Sequence, residues 1–350
     1  MNEKLQKRID ALVKLGDVLR SDRELEAVIA KAASYNPWFI PEFSDKAMDA
    51  ITGRMLTATN LNQWLSRYEI TADDEQTKTI GIIMAGNLPL VGFHDFLCAY
   101  ISGYNIKIKL SGKDDVLFPY VYGKLSQIDE SLKDKSAIIE RLEGFDAVIA
   151  TGSNNTNRYF EYYFRDYPKI LRRNRNSIAI LTGEESDVEL YGLADDIFIY
   201  FGFGCRNVSK LHVPEGYDIT KLFPYFEKYK WMHSHTKYMN NYDYNRTLLL
   251  MNRTEHLANE IIMLQENSAI SSPVSIVYYE RYKDGNDLYQ KVHSNTDEIQ
   301  CIVSNKSRLL GGQFGNIVNF GNTQKPELWD YADDVDTLYF LFSLKSLNKR

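Results

Sequence analysis

The stretch TIGIIMAGNLPLVGFHDFLCAYISGYNIKIKL, residues 79–110, decides the fold. "TIGIIM" (79–84) is a short apolar run rich in β-branched residues and reads as a buried strand. "PLVGFHDFLCAYISG" reads as a helix opened by Pro89, whose missing N–H is harmless in a first turn, and closed by Gly103. "NIKIKL" reads as a second strand with Ile106, Ile108 and Leu110 on one face. A strand, a helix and another strand in this order form the unit that joins neighbouring parallel strands.

The cycle then repeats. A helix is expected around "DVLFPYVYGKLSQI", a strand at "DAVIA" (146–150), a helix through "RYFEYYFRDY" and a strand at "SIAILT" (177–182). Four strands separated by helices over about a hundred residues predict a Rossmann-like parallel sheet with a nucleotide at the carboxyl ends of its strands. Upstream, residues 1–70 read as helical. Leu5, Ile9, Leu12 and Leu19 share one face, and Ser44 is expected to cap a segment carrying Ala47, Met48, Ile51 and Met55. Downstream, "KLHVP", "SIVYYERY", "IQCIVSN" and "NIVNFG" read as strands among helices, so a second α/β unit is expected to run to about residue 320.

Composition narrows the classes of function. The 350 residues exceed one small core, and 44% hydrophobic with 25% charged residues is ordinary globular composition. A net charge of -6 offers no footprint for a nucleic-acid backbone or an anionic membrane. No apolar run reaches the roughly 18 residues of a membrane span, and the charged start "MNEKLQKRID" does not read as a signal peptide. Three cysteines, Cys98, Cys205 and Cys301, lack metal or dithiol spacing and point to a reducing compartment, the cytoplasm.

Candidate chemistry sits where strands end. Asn87, in "AGNLP", could donate its side-chain amide to a developing oxyanion or simply cap the helix that follows. Lys109 leaves the last turn of its strand opposite the isoleucines, where it could meet a phosphate or ribose or face solvent. Gly152 and Ser153, in "ATGSNN", open a helix whose backbone amides could approach a pyrophosphate, although the full GxGxxG pattern is absent. Cys205, in "IYFGFGCRNVSK" (199–210), follows two glycines and precedes Arg206, which could favour its thiolate. Alone, that setting fits a buried turn as well as a nucleophile. Cys98 and Cys301 lie inside apolar segments and read as small buried hydrophobes. His233 and His235 lack a third metal ligand and read as surface histidines.

Taken in order, "AGNLP", "IKLSGKDD", "IATGSNNTNR" and "FGFGCRN" resemble the succession of motifs in the aldehyde dehydrogenase superfamily. More narrowly, with "NPWF", "LNQWLSRY" and "NFGNTQKPELWDYADDVDT", the chain resembles the acyl-CoA reductases of the LuxC type, related to the fatty acyl reductase of bacterial bioluminescence. The resemblance covers most of the chain. It implies an α/β fold, with N-terminal helices and a Rossmann-like cofactor domain over 1–203 and a catalytic domain over 204–322. The segment 323–350 then returns to the cofactor domain or forms an oligomer interface. It implies an active site in a cleft, with Cys205 as nucleophile and Asn87 and the Cys205 amide as the oxyanion hole. Lys109 matches the lysine that holds the adenosine ribose, and Gly152 with Ser153 the helix start beneath the cofactor phosphates.

Two departures refine that picture. Ordinary aldehyde dehydrogenases carry a glutamate general base between the "TGS" helix and the nucleophile, and it activates water against the acyl-enzyme. Here the corresponding stretch is "LRRNR" (171–175), with no carboxylate, and only Glu184 and Glu185 lie further on. NAD-preferring relatives often place a glutamate three residues after the ribose lysine. Here Gly112 stands there with Lys113 beside it, which points to NADPH over NADH.

The expectation is therefore an NADPH-dependent acyl-CoA, or acyl-protein thioester, reductase that forms a fatty aldehyde through an acyl-cysteine. An acyl-donating synthetase or transferase is the implied partner. The alternatives are an aldehyde dehydrogenase that makes acid, or a nucleotide- or partner-binding protein without turnover. The chain is shorter than typical superfamily members and its hairpin before "TIGIIM" is abbreviated, so a homo-oligomer is an open expectation whose interface need not be the family's usual one.

Overall fold

The computed structural model describes residues 3–70, 77–152, 154–305 and 314–346. The chain forms two compact units, residues 1–173 with 326–350, and residues 174–325. Both are built on mainly parallel sheets, as the β-α alternation of the sequence predicts.

The first unit opens with four helices, α1 (Glu3–Arg20), α2 (Leu25–Tyr35), α3 (Pro41–Ala50) and α4 (Ala58–Leu65). Ser44 does not cap its segment. Pro41 opens α3, and Ser44 is buried in its first turns, donating to the Phe39 carbonyl at 3.3 Å. Then come β1 (Thr79–Ile83), α5 (Phe93–Ser102), β2 (Asn105–Lys109), α6 (Leu117–Ile128), the single turn α7 (Leu132–Lys135) and β3 (Ser136–Ile138). β4 (Ala147–Thr151), α8 (Asn154–Tyr163) and β5 (Lys169–Arg172) follow. The five strands lie in the order β3-β2-β1-β4-β5, all parallel.

That order carries information about ligand binding. The chain builds outward from β1 through β2 to β3, then returns past β1 to lay down β4 and β5. The direction of building reverses between β1 and β4, and in open parallel sheets the crevice at such a switch point is where ligands bind. Gly103 ends α5 in the left-handed conformation at φ 81°, as a helix-closing glycine does.

In the second unit, β6 (Asn176–Ile180) and α9 (Asp187–Phe198) precede β7 (Val208–Pro214) and the short α10 (Phe223–Phe226). They are followed by α11 (Thr236–Met251), β8 (Leu257–Ala258), β9 (Met263–Glu266), β10 (Ile276–Tyr282), α12 (Gly285–His293), β11 (Ile299–Val303) and β12 (Ile317–Val318). These strands lie in the order β12-β11-β6-β7-β10-β9-β8. The last helix, α13 (Thr337–Ser346), belongs to the first unit. There Leu338, Leu341 and Leu344 join a core with Leu97, Ile101 and Phe118.

One sequence expectation changes here. The "SIAILT" strand is not part of the first sheet: β6 pairs with β7 and β11. β6 accordingly lies in the second compact unit, which begins at Asn174. Pairing partners, which periodicity along one strand does not encode, make the difference. The first sheet is completed by β3 and β5, two short strands that lie among charged residues. Among the described residues no helix is long and apolar enough to cross a membrane.

Candidate active site

Four sequence-predicted residues of the first unit cluster at the carboxyl edge of its sheet. Asn87 lies in the loop after β1, Lys109 ends β2, Lys113 lies in the loop beyond it, and Gly152 follows β4. Asn87 and Gly152 thus flank the switch point. Ser153 lies outside the described residues.

The Asn87 loop is held from beneath. The helix expected from Pro89 begins instead at Phe93, because Leu90 takes the left-handed conformation at φ 57° and breaks the first turn. The Leu90 amide donates to Oδ2 of Asp114 at 3.0 Å. The same buried carboxylate receives the Leu117 and Phe118 amides at the start of α6. Burial pushes Asp114 up to about 6, against the pull of those amides. Gly86 fits between: a Cβ there would lie 2.8 Å from Ser111 Cβ. The loops after β1 and β2 are therefore one packed body. Asn87 itself is exposed, caps no helix, and makes no side-chain hydrogen bond among the described residues. Its amide is available to a ligand.

Other features of this edge suit a nucleotide. Among the described residues the Lys109 and Lys113 ammonium groups have no hydrogen-bond or ion-pair partner. Gly112 opens onto free space. A Cβ on Gly152 would come within 2.9 Å of the Phe160 ring and 3.0 Å of Thr156, so only glycine lets β4 run this closely into α8. The ten-residue α8 then directs its first amides towards whatever sits above Gly152.

At the far edge of this sheet, β5 ends in Arg172, inside the "LRRNR" stretch. Its guanidinium is buried and pairs with Asp95 of α5 at 2.8 Å. It also donates to Thr337 Oγ1 at 2.7 Å and to the Ala332 carbonyl at 2.5 Å. Burial opposes the charge, but Asp95 outweighs it and holds Arg172 above its ordinary value. Among the described residues each carboxylate that contacts this stretch has a partner in it: Asp95 pairs with Arg172, Asp333 accepts the Arg173 amide at 3.0 Å, and Glu161 pairs with the Arg173 guanidinium at 3.2 Å.

Cys205 belongs to the second unit, half-buried in the turn that leads into β7. The backbone before it is unusual. Tyr200 and Phe201 have φ of 57° and 58°, and Gly202 and Gly204 have φ of 78° and 97°. A non-glycine residue in this region costs on the order of 1–2 kcal/mol, so two in succession need support. Phe201 is buried with its ring 4.3 Å from that of His235 and 5.8 Å from that of Tyr238. The glycines of "FGFGC" were visible in the sequence; the left-handed Tyr200 and Phe201 were not. Behind the turn, a cavity of about 10 Å³ is lined by Gly202, Asn207, Tyr238 and Ser275, among others. That is room for about one water molecule.

From the other side, β6 holds the turn. The Ser177 amide donates to the Asn207 carbonyl at 2.9 Å, and Ser177 Oγ donates to the Cys205 carbonyl at 3.1 Å. Ser177 Oγ also lies 3.0 Å from Sγ of Cys301 on β11. Cys98 and Cys301 are both buried, and burial pushes Cys301 up to about 11.

Glu184 and Glu185 lie at the wrong end of the second sheet to serve Cys205. Ser177 at the start of β6 touches the Cys205 turn, whereas Glu185 folds back on Thr182 and Gly183 beyond the end of the strand. Five residues of extended chain separate Ser177 from Thr182, roughly 16 Å. Of the paired histidines, His233 is exposed and His235 accepts the Tyr238 amide at the start of α11. No metal-binding cluster occurs among the described residues.

No family model matches the chain, and no curated protein matches it. Solved structures do. Aldehyde dehydrogenase 21 from Physcomitrella patens, in complex with the reaction product succinate, is similar over 97% of this chain and 84% of its own, with TM-score 0.67 and 11% identity. The aldehyde dehydrogenase KauB from Pseudomonas aeruginosa is similar over 87% and 73%, with TM-score 0.63 and 13% identity. The P. syringae indole-3-acetaldehyde dehydrogenase in complex with NAD+ and IAA is similar over 87% and 73%, with TM-score 0.63 and 11% identity. The chain has the aldehyde dehydrogenase fold.

Proposed function

We propose that the protein is an NADPH-dependent reductase of acyl thioesters, with the nucleotide held by the first unit and the nucleophile carried by the second. The observation that carries this reading is the buried Arg172–Asp95 pair in the stretch where an aldehyde-oxidising enzyme would keep a general base. An acyl-cysteine without a base to activate water survives long enough to be reduced.

In this reading the Cys205 thiolate attacks the carbonyl of an acyl-CoA, or of an acyl group on another protein's thiol, and forms a new carbon–sulfur bond. Asn87 and the Cys205 amide donate to the oxyanion. The departing thiolate leaves an acyl-Cys205. NADPH, when bound, supplies the hydride that reduces the acyl carbon. The thiohemiacetal oxyanion then collapses, its carbon–sulfur bond breaks, and aldehyde leaves as the Cys205 thiolate is restored. Overall one thioester, one NADPH and one proton give aldehyde, free thiol and NADP+. Lys109 and Gly152 suit the ribose and the pyrophosphate. Gly112 and the unpaired Lys113 suit a 2'-phosphate better than a 2'-hydroxyl. The implied partner is a synthetase or transferase that delivers the acyl group.

A second reading, oxidation of an aldehyde to an acid, is favoured by the similar structures, several of which are named for aldehyde oxidation or solved with NAD+. One experiment separates the two: purified protein with NADPH and acyl-CoAs from short to long, following NADPH loss and aldehyde, beside the same protein with aldehyde and NAD+ or NADP+, following acid.

A further inference from the structure

Three segments of the second unit, β6, β11 and the Cys205 turn, meet at one hydroxyl. Ser177 Oγ, on β6, contacts the main-chain carbonyl of Cys205 at 3.1 Å and the sulfur of Cys301, on β11, at 3.0 Å. A serine hydroxyl has one proton, and a carbonyl oxygen can only accept. The proton of Ser177 is therefore spent on Cys205. The remaining contact is satisfied only if Cys301 S–H donates to Ser177 Oγ, which requires Cys301 to be a neutral thiol. Its burial keeps it so, outweighing the opposite pull of the Ser177 contact.

We propose that Cys301 and Ser177 form a hydrogen-bonded chain, Cys301 S–H to Ser177 O–H to the Cys205 carbonyl, which fixes the orientation of the nucleophile's turn. Both are positioning residues, since neither touches the reacting atoms. The proposal rests on Cys205 being the nucleophile. The turn needs such a support because four of the five residues 200–204 sit in the left-handed region. Relaxation of that backbone would rotate the Cys205 peptide and move its thiol relative to its own amide. Ser177 opposes this with two bonds, its amide to the Asn207 carbonyl and its hydroxyl to the Cys205 carbonyl, and only the second depends on the side chain. Cys301 in turn removes the rotational freedom of that hydroxyl and polarises it. A buried cysteine that reads from sequence as filler thereby has a defined donor role.

The test uses the full chain and needs no substrate. The rate of iodoacetamide alkylation at the Cys205 peptide is measured by mass spectrometry for wild type, Ser177→Ala, Cys301→Ala and Cys301→Ser, with thermal midpoints as the folding control. Loss of one net hydrogen bond predicts a roughly tenfold slower alkylation in Ser177→Ala. Cys301→Ala should be slower by about 1.5-fold, and Cys301→Ser, which keeps an O–H donor, should return to the wild-type rate. Wild-type alkylation in a folded Ser177→Ala, or equal rates in the two Cys301 variants, would overturn the chain. Should Ser177→Ala fail to fold, the Cys301 pair tests the same donor. Failure of the reductase reading is separately visible, as wild-type protein that alkylates at Cys205 in this order of rates yet oxidises no NADPH with any acyl-CoA.

Discussion

Arg172 donates to Asp95 across 2.8 Å in the interior of the first unit, one end of a pair whose arginine also holds Thr337 and the Ala332 carbonyl. It ties β5, α5 and the C-terminal segment together. Removing one partner of such a pair leaves a buried charge uncompensated, at a cost of about 3–5 kcal/mol. Asp95→Ala should therefore lower the urea midpoint strongly. Unfolding curves that superimpose on wild type would show that the pair is not a structural tie.

Asn87→Ala should behave in the opposite way. The side chain is exposed and has no protein partner among the described residues, so stability should stay within about 0.5 kcal/mol of wild type. Loss of an oxyanion donor costs about a hundredfold or more in kcat. Steady-state kinetics beside thermal unfolding read both effects.

Asp114 gives a pH signature. Its folded value of about 6 lies above the ordinary 3.8, so the folded state holds the proton more tightly than the unfolded chain does. Its contribution to stability is present below the ordinary value and is lost as pH rises through about 6, by at most about 3 kcal/mol. Asp114→Asn cannot ionise. The stability of wild type relative to this variant should fall between those two pH values and level off above them, as urea midpoints at mildly acidic and neutral pH would report.

Lys113→Glu tests the cofactor preference. It replaces an unpaired positive charge beside Gly112 with a negative one, which should raise KM for NADPH about tenfold while changing KM for NADH little. Equal changes for both nucleotides would remove Lys113 from 2'-phosphate recognition.

Much of the architecture was legible in residues 79–150, because buried strands announce themselves as apolar β-branched runs, half-buried ones by alternation, and helices by their punctuation. "TIGIIM", "NIKIKL" and "DAVIA" each form a strand of the first sheet. What was not legible is what depends on contacts far apart in sequence. "SIAILT" looks like the earlier strands, yet it pairs with β7 and β11, and a strand's own residues do not specify its neighbours. The start of α5 was misread because Pro89 is a good first-turn residue, while the left-handed Leu90 is imposed by Asp114 from another loop. Among site residues, Cys205 was marked by its glycines. Ser177, Cys301 and the Arg172–Asp95 pair have no local signal; they acquire meaning only when β5, β6 and β11 are laid in place.

In the proposed function Cys205 carries an acyl group that is reduced rather than hydrolysed. The most direct measurement is NADPH oxidation by the purified protein with a panel of acyl-CoAs, with aldehyde and acid quantified in the same reactions and Cys205→Ala alongside. Aldehyde should form in step with NADPH loss, with little acid and near-complete loss of activity in Cys205→Ala. Acid as the main product, or thioester-dependent NADPH oxidation at the wild-type rate by Cys205→Ala, would contradict the proposed function.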